Sequence, residues 1–233
     1  GAHIFAATCG GTLSRLAEEW QASLSLVDST IPMPRCAVGA MSVPLLKALD
    51  SMGLIEGLED DFEDVDAVLR SRCDRIRSGS DNSRSVGESL ATQIPVIYGG
   101  GPLGEVAAVR FKNQLNENAK TPAFFNVMPE TCHNELAGWG VTHSGEPKIV
   151  AVQLRHIYEH PRLAPRFDFN ETVAGSDKSE VVTVWAEGNS ELAQLFDLIL
   201  FGDQTSLEVA ALLGQDPGPI DVLTQLKHRL AQS

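Results

Sequence analysis

No apolar run in the sequence approaches the roughly 20 residues that a membrane-spanning helix requires. Basic residues are also few, since 18 Lys and Arg stand against 31 Asp and Glu and give a net charge of −13. Binding to nucleic acid depends mainly on positive charge placed against phosphates. We therefore expect neither a membrane nor a nucleic acid among the partners of this protein.

Paired cysteines are absent as well. The four cysteines are far apart in the sequence and form no Cys-x-x-Cys motif: Cys9, Cys36, Cys73 and Cys132. This usage is typical of reduced thiols in a cytoplasmic protein. We expect most of the four to be buried, as free cysteines usually are.

Motifs for a metal, a nucleotide or a flavin are also missing. His156 and His160 have the four-residue spacing of metal ligands on a helix. Pro161 and Pro165 follow at once and predict a loop rather than a helix. The Gly-rich run from Gly99 to Gly104 is similar to a phosphate-binding loop, and its backbone N–H groups could face a ligand, but no Gly-Lys-Ser/Thr follows it. We expect no metal and no cofactor.

The densest set of chemically useful side chains lies between Pro95 and Trp139. Apolar β-rich runs alternate there with turn residues and with an apolar stripe of period four, which predicts two strands and two helices. The predicted elements are strand Pro95–Tyr98, helix Glu105–Asn118, strand Ala123–Val127, and a helix that starts at Pro129 and Glu130, carries His133 and ends near Gly138 or Gly140.

Strands and helices alternate along most of the chain, which predicts an α/β protein with open parallel sheets flanked by helices. An acidic and Ser-rich stretch from Glu56 to Ser85 divides the sequence. Residues 1–55 hold about two strands and two helices, too few for a complete layered sheet. We expect residues 1–55 to be part of a first subdomain, 56–92 a helical, acidic linker, and 93–233 a second subdomain.

Three groups of short motifs resemble the bifunctional phosphoglucose/phosphomannose isomerase family, which belongs to the sugar isomerase (SIS) domain proteins. The sixteen-residue interval from Glu117 to His133 agrees with that family. The motifs are Asn116–Lys120 with Pro129-Glu130, His133–Glu135 and Gly138-Trp139; then Gly202-Asp203, Leu212–Gly214, Asp216-Pro217, Pro219–Asp221 and Leu226-Lys227; and, at the start, Cys9–Leu13, Pro34-Arg35 and Val43–Leu46.

The resemblance implies a SIS-domain fold with two doubly wound subdomains, of which the first is incomplete here. In the family, that first sheet carries a Gly-Gly-Ser turn and a Ser-Gly-Asn-Thr loop that bind the sugar phosphate. Neither motif occurs in this sequence. The implied activity is the isomerisation of glucose 6-phosphate, with mannose 6-phosphate as a second candidate substrate, to fructose 6-phosphate through an enediolate and without a cofactor.

The resemblance also implies the catalytic residues. Glu117 is the expected base, and a carboxylate suits this task because its ordinary pKa of about 4.3 keeps it ionised at neutral pH. His133 is expected to open the sugar ring from the partner subunit of a homodimer, Lys227 to contact the ring oxygen, and Arg35 to stabilise the enediolate. The expected substrate-binding residues are Gly10, Gly11, Thr12, Arg110 and Asn118.

Simpler interpretations of the same residues remain open. Glu117 is also consistent with a surface position at a helix end, His133 with packing near a helix start, and Lys227 with an exposed helical site. The missing phosphate loops favour a non-catalytic phosphosugar-binding or regulatory SIS protein as the alternative function. A SIS-type transcription regulator would need a helix-turn-helix and a basic patch, and the sequence shows neither.

Overall fold

A computed structural model describes residues 2–139, 148–176 and 179–232. The chain forms two compact units, residues 1–61 and 62–233. This division lies near the predicted end of the first subdomain at residue 55. Residues 62–92, where the composition predicted a linker, belong to the second unit.

The first unit contains a parallel sheet of two strands, in which Phe5 lies opposite Ser23. Its elements are β1 (Phe5–Thr8), α1 (Gly11–Glu19), β2 (Ser23–Leu26), a 3-10 helix (Pro34–Cys36), α2 (Val38–Ser51) and the start of α3 (Leu58–Ser78).

The second unit contains a parallel sheet of four strands in the order β4-β3-β5-β6. The predicted fold class, an open parallel sheet flanked by helices, is confirmed. Its further elements are α4 (Ser83–Leu90), β3 (Ile94–Gly100), α5 (Gly101–Asn118), β4 (Phe124–Met128), 3-10 helices at Glu130–Cys132 and Glu135–Gly138, β5 (Ile149–Arg155), α6 (Ala164–Ser176), β6 (Glu180–Trp185), α7 (Glu191–Leu212) and α8 (Asp221–Leu230).

One face of this sheet is covered by α4, α5 and α7. The apolar stripe predicted on α5 is buried there, since Ala107, Phe111 and Leu115 all pack into one core with Ile97 of β3. Gly202 of α7 lets the two helices approach closely, because a Cβ atom at this position would lie 2.9 Å from the Phe111 ring. Successive side chains of a strand point to opposite faces of the sheet. Ile97 of β3 shares its core with residues of α5 and α7, so both helices lie on the face to which Ile97 points.

The opposite face of the sheet carries a smaller core. Tyr98 of β3 packs there with Met128, Leu163 and Phe167. Trp139, which ends the described part of the segment after β4, also contacts this core. The segment that contains His133 thus lies on the face opposite α5. It forms two 3-10 helices, so the single helix predicted from Pro129 to Gly138 is wrong.

A buried ion pair joins α3 to α7. Arg72 Nε donates to Asp197 Oδ1 at 2.5 Å and its Nη2 donates to Oδ2 at 2.8 Å, while Nη1 donates to Asp81 at 2.8 Å. Arg72 is 3% exposed and Asp197 is fully buried. The backbone N–H of Glu187 donates to the same Asp197 carboxylate. The second half of the predicted linker is therefore part of the second unit's core.

The cysteines differ from the prediction in their burial. Cys9 and Cys36 are exposed, Cys73 and Cys132 are half-buried, and all four are free thiols. Among the residues that the structure describes, no helix is both long enough and apolar enough to cross a membrane.

Replacing Asp197 by Ala should destabilise the second unit strongly. Arg72 would keep a buried positive charge without its main partner, and such a loss costs about 3–5 kcal/mol. Asp66→Ala on the same α3 is the matched control, because it removes the exposed Arg70–Asp66 pair, 2.7 Å long, at a cost below about 1 kcal/mol. Urea unfolding of both variants measures the difference, and equal losses would contradict this account of Arg72.

Candidate functional site

The turn between β3 and α5 lies at the point where the strand order reverses, a common ligand position in open α/β sheets. A Cβ atom on Gly99 would lie 2.0 Å from the Gly104 carbonyl oxygen, and one on Gly100 would lie 3.0 Å from Leu163 and Phe167. These glycines permit close backbone packing. A Cβ atom on Gly101, at φ 64°, would meet nothing within 4 Å, and the possibility that backbone N–H groups of this turn face a ligand stays a prediction.

His156 and His160 occupy different environments. His156 is buried and its Nε2 lies 2.8 Å from the Gly100 carbonyl oxygen, whereas His160 accepts a hydrogen bond from the backbone N–H of Arg162 through Nδ1. Pro165 lies in the first turn of α6, where its missing N–H costs nothing. Within the described residues, no group of three or more metal-ligating side chains gathers.

Glu117 lies in the last turn of α5, half-buried. The helix ends through Lys120, whose φ of 55° is unusual for a residue other than glycine. The Lys120 ammonium donates to the carbonyl oxygen of Glu117 at 2.8 Å and to that of Asn118 at 3.4 Å. The C-terminal end of a helix carries a partial negative charge, which repels a carboxylate such as that of Glu117. The Lys120 cation at this position offsets that repulsion.

The same ammonium connects this helix end to the chain that leads into α8. Lys120 Nζ donates to the carbonyl oxygen of Asp216 at 2.7 Å, and Asp216 lies five residues before α8 begins at Asp221. Lys227 is exposed on α8. Lys120 thus connects the helix end that carries Glu117, the predicted catalytic base, to the segment that leads to Lys227. Sequence analysis assigned no role to Lys120.

Arg110 and Asn118 both contact α7. Arg110 Nε donates to Asp203 Oδ1 at 3.0 Å and its Nη2 donates to Oδ2 at 2.6 Å, in the paired geometry typical of Arg and carboxylate. Asn118 is buried, and its Nδ2 donates to Ser206 Oγ at 2.9 Å. Both expected substrate-binding side chains therefore fix α5 against α7 in this structure.

His133 is exposed at the end of the first 3-10 helix after β4. Its backbone N–H donates to the carbonyl oxygen of Glu130 at 2.9 Å. Among the residues that the structure describes, none forms a hydrogen bond with the imidazole ring. The position of the ring therefore depends on the backbone segment that carries it.

Glu135, two residues further on, holds this segment to the sheet. Tyr98 Oη donates to Glu135 Oε1 and Asn126 Nδ2 donates to Oε2, each at 2.5 Å. Trp139 Nε1 donates to Tyr98 Oη at 3.2 Å. Burial, and then the hydrogen bond to Glu135, raise the pKa of Tyr98 far above its ordinary value of 10.0, so its hydroxyl stays protonated. Sequence analysis missed this network, although a tyrosine in an otherwise apolar strand was a signal for it.

The structure does not bring Glu117 and His133 of one chain together. α5 packs on one face of the sheet and the His133 segment on the other. Glu117 also precedes the start of β4, whereas His133 follows its end, and β4 spans 5 residues at about 3.3 Å per residue. Within one chain the two side chains belong to opposite faces and opposite ends of the sheet.

The first unit has a cavity of about 370 Å³ at the carboxyl ends of β1 and β2, next to the predicted Gly10-Gly11 turn. Thr8, Cys9 and Asp28 supply its polar lining, and Pro34 borders it. The left-handed φ values of Gly10 (130°) and Gly11 (69°) require glycine. Helix α1 begins at Gly11, so Thr12 lies inside its first turn.

Arg35 lies in the 3-10 helix Pro34–Cys36 of the first unit, between cavity-lining residues Pro34 and Ala37. It is half-buried. The volume of this cavity lies in the range of sites that bind small molecules. The predicted residues of the first unit, Gly10, Gly11, Thr12 and Arg35, thus lie in or beside the segments that border one cavity.

The sequence is similar to a known protein family over most of its length. Residues 80–230 match the family described as the bacterial phospho-glucose isomerase C-terminal SIS domain. The bifunctional phosphoglucose/phosphomannose isomerase of Caldicellulosiruptor bescii is 34% identical to this chain, over 100% of this chain and 69% of its own length. This chain belongs to the bifunctional phosphoglucose/phosphomannose isomerase family. The resemblance found in the sequence motifs is confirmed.

Other relatives of the family differ in how much of their length the chain spans. The bifunctional phosphoglucose/phosphomannose isomerase of Aquifex aeolicus is 30% identical over 84% of this chain and 58% of its own length. Among solved structures, a glucose-6-phosphate isomerase-like protein from Thermus thermophilus has a TM-score of 0.65 at 21% identity, covering 94% of this chain and 75% of that one. The structural similarity supports the SIS-domain fold.

Lys120→Ala should destabilise the protein more than Lys120→Gly, by about 1 kcal/mol. Both variants lose the three hydrogen bonds from the ammonium to carbonyl oxygens. Alanine keeps the unfavourable left-handed conformation at φ 55°, which glycine adopts freely. Urea unfolding of the two variants measures the difference. A glycine variant that is less stable than the alanine variant would show that position 120 is not left-handed.

Proposed function

We propose that this protein is an aldose–ketose isomerase that converts glucose 6-phosphate, and mannose 6-phosphate as a second substrate, into fructose 6-phosphate. The observation that carries the proposal is the helix end at Asn116–Lys120, where the family's motif forms a fixed terminus that holds Glu117 half-buried. A base held in this way can be aimed at one substrate carbon. The names of the curated relatives supply the substrate class.

The chemistry follows from the side chains. The Glu117 carboxylate takes the proton from C2 of the open-chain aldose, which gives an enediolate, and a proton returned to C1 completes the ketose. His133 transfers the proton that opens the sugar ring, since imidazole changes protonation state near neutral pH. Lys227 contacts the ring oxygen, and the permanent charge of Arg35 stabilises the enediolate oxygen. The reaction needs no cofactor.

The first unit contributes substrate-binding residues in this proposal. Gly10, Gly11 and Thr12 form the first turn of α1 beside the cavity, where backbone N–H groups of a helix start favour an anion. Arg110 and Asn118 support the substrate site indirectly in this proposal, because their contacts with α7 hold the helix that carries Glu117.

We further propose that each site is shared between two protomers of a homodimer. Glu117 and His133 of one chain lie at opposite ends and on opposite faces of the sheet. A twofold dimer can place His133 of one chain beside Glu117 of its partner, and the symmetry then forms two equal sites. The cytoplasmic location and the absence of nucleic-acid and membrane partners stay predictions.

Glu117→Gln should lower kcat for glucose 6-phosphate by about 100- to 10,000-fold, because it removes the base and keeps the shape of the side chain. The matched control is Glu105→Gln, an exposed carboxylate in the first turns of the same α5, which should keep wild-type activity. A coupled assay of fructose 6-phosphate formation by full-length protein measures both. Unchanged turnover in Glu117→Gln would refute the mechanism, and calorimetric binding of hexose phosphate without turnover in wild-type protein would favour the binding-protein alternative.

Mixed dimers test the shared site. Glu117→Gln and His133→Ala should each be inactive alone, whereas a purified heterodimer of the two should recover about half of the wild-type activity, because one of its two sites has both wild-type residues. Co-expression with two different affinity tags gives the heterodimer. If both residues act within one chain, the heterodimer stays inactive.

A further inference from the structure

We propose that Glu135 is the positioning residue of His133, and that its carboxylate sets the imidazole for ring opening by fixing the segment after β4 to the sheet. The inference rests on the proposed function, in which His133 transfers the ring-opening proton. Glu135 is not a catalytic residue in this account, since it acts through the backbone that it shares with His133.

The first support is that both carboxylate oxygens of Glu135 are engaged by the sheet. Tyr98 of β3 and Asn126 of β4 lie directly opposite each other in the parallel register. One donates to Oε1 and the other to Oε2, each at 2.5 Å. A carboxylate that bridges two neighbouring strands in this way is fixed in position and in rotation.

The second support is that the two donors are themselves fixed. Asn126 Oδ1 accepts the backbone N–H of Val127 at 2.8 Å, so the Asn126 amide must direct its NH₂ group towards Glu135. Tyr98 is fully buried, and its hydroxyl accepts a hydrogen bond from Trp139 while donating to Glu135. The Tyr98 hydroxyl and the Asn126 NH₂ group both donate, so a side chain between them must accept two hydrogen bonds through two different atoms. A carboxylate can do so.

The third support is the way the segment is held at both sides of His133. Before His133, the buried Thr131 contacts Met128 Sδ through its hydroxyl. After it, Glu135 binds the two strands and Trp139 packs on the same face of the sheet. His133 itself is exposed, and no described residue hydrogen-bonds its ring. The fixed points on either side therefore determine where the ring lies.

Glu135→Gln should displace the segment. The glutamine amide can accept from only one of the two donors, so its NH₂ group faces the NH₂ group of Asn126 or the hydroxyl of Tyr98. A displacement of about 1 Å lowers the rate of a positioned reaction by about 100-fold. We expect kcat for glucose 6-phosphate to fall by about 10- to 100-fold while KM changes little. Glu130→Gln is the matched control, an exposed carboxylate five residues earlier that should keep wild-type turnover.

Paired heterodimers separate positioning of His133 from a general loss of structure. A heterodimer of Glu135→Gln with Glu117→Gln has one site in which Glu117 and a correctly held His133 are both present. It should therefore recover about half of the wild-type activity. A heterodimer of Glu135→Gln with His133→Ala has one site with the displaced His133 and one site without it, so its activity should be about half that of Glu135→Gln alone. Tyr98→Phe, which removes one donor and keeps the ring, should show the same pattern with a smaller loss.

Each outcome decides the question. Rescue by Glu117→Gln but not by His133→Ala supports the positioning role. Wild-type turnover in Glu135→Gln overturns it, and so does a lack of rescue by either partner when the heterodimer of Glu117→Gln with His133→Ala is active. His133→Ala is assayed first, because wild-type turnover in that variant would refute the proposed role of His133, whereas a dead His133→Ala with an active Glu135→Gln would refute only the role of Glu135.

Discussion

The buried pairing of Arg72 with Asp197 is the constraint on which the second unit depends. Both charges have left water, so the arrangement is favourable only if every hydrogen-bonding atom finds a partner. Asp81 and the Glu187 backbone N–H complete the set. This requirement fixes the position of α3 along α7, since a shift of either helix would leave a buried charge without its partner.

The constraint passes from α7 to the candidate site. On the same α7, Asp203 pairs with Arg110 and Ser206 with Asn118, so the register of α7 also determines the position of α5. Lys120 then fixes the end of α5 and the Asp216 carbonyl that precedes α8. A chain of short-range polar contacts thus relates Glu117 to the core of the unit, although neither Arg72 nor Asp197 lies near the proposed chemistry.

The spacing of apolar residues in the sequence predicted those helices that have one apolar face and a Gly or Pro near their ends. Helix α5 is the best case, because its stripe of Ala107, Phe111 and Leu115 has the spacing of one helix face and is buried as predicted. The acidic run after Glu56 was predicted to belong to a helical linker, and the stretch is helical in the structure. Glu59, Asp60 and Asp61 form the first turn of α3, where carboxylates favour the positive end of the helix dipole.

Contacts between residues distant in sequence could not be predicted from local patterns. The family resemblance indicated Glu117 and His133 by their motifs, but not the contacts that fix the segments carrying them. Lys120, at the end of the Glu117 helix, bonds to Asp216, which is 96 residues away. Glu135, two residues after His133, bonds to Tyr98, which is 37 residues away. The helix predicted around His133 was wrong for the same reason. The side chains of this segment are bound to the sheet by Glu135 and Trp139, and this tertiary binding outweighs local helix propensity.

The separation of Glu117 from His133 has a consequence for how activity relates to association. If each site takes one residue from either protomer, the isolated chain contains two half-sites, and the fraction of active protein follows the dimer equilibrium and hence the protein concentration. The rigid local structure at both half-sites is then physically necessary. Two chains that meet as folded bodies can align base and acid only if Lys120 has already fixed one helix end and Glu135 the opposite segment.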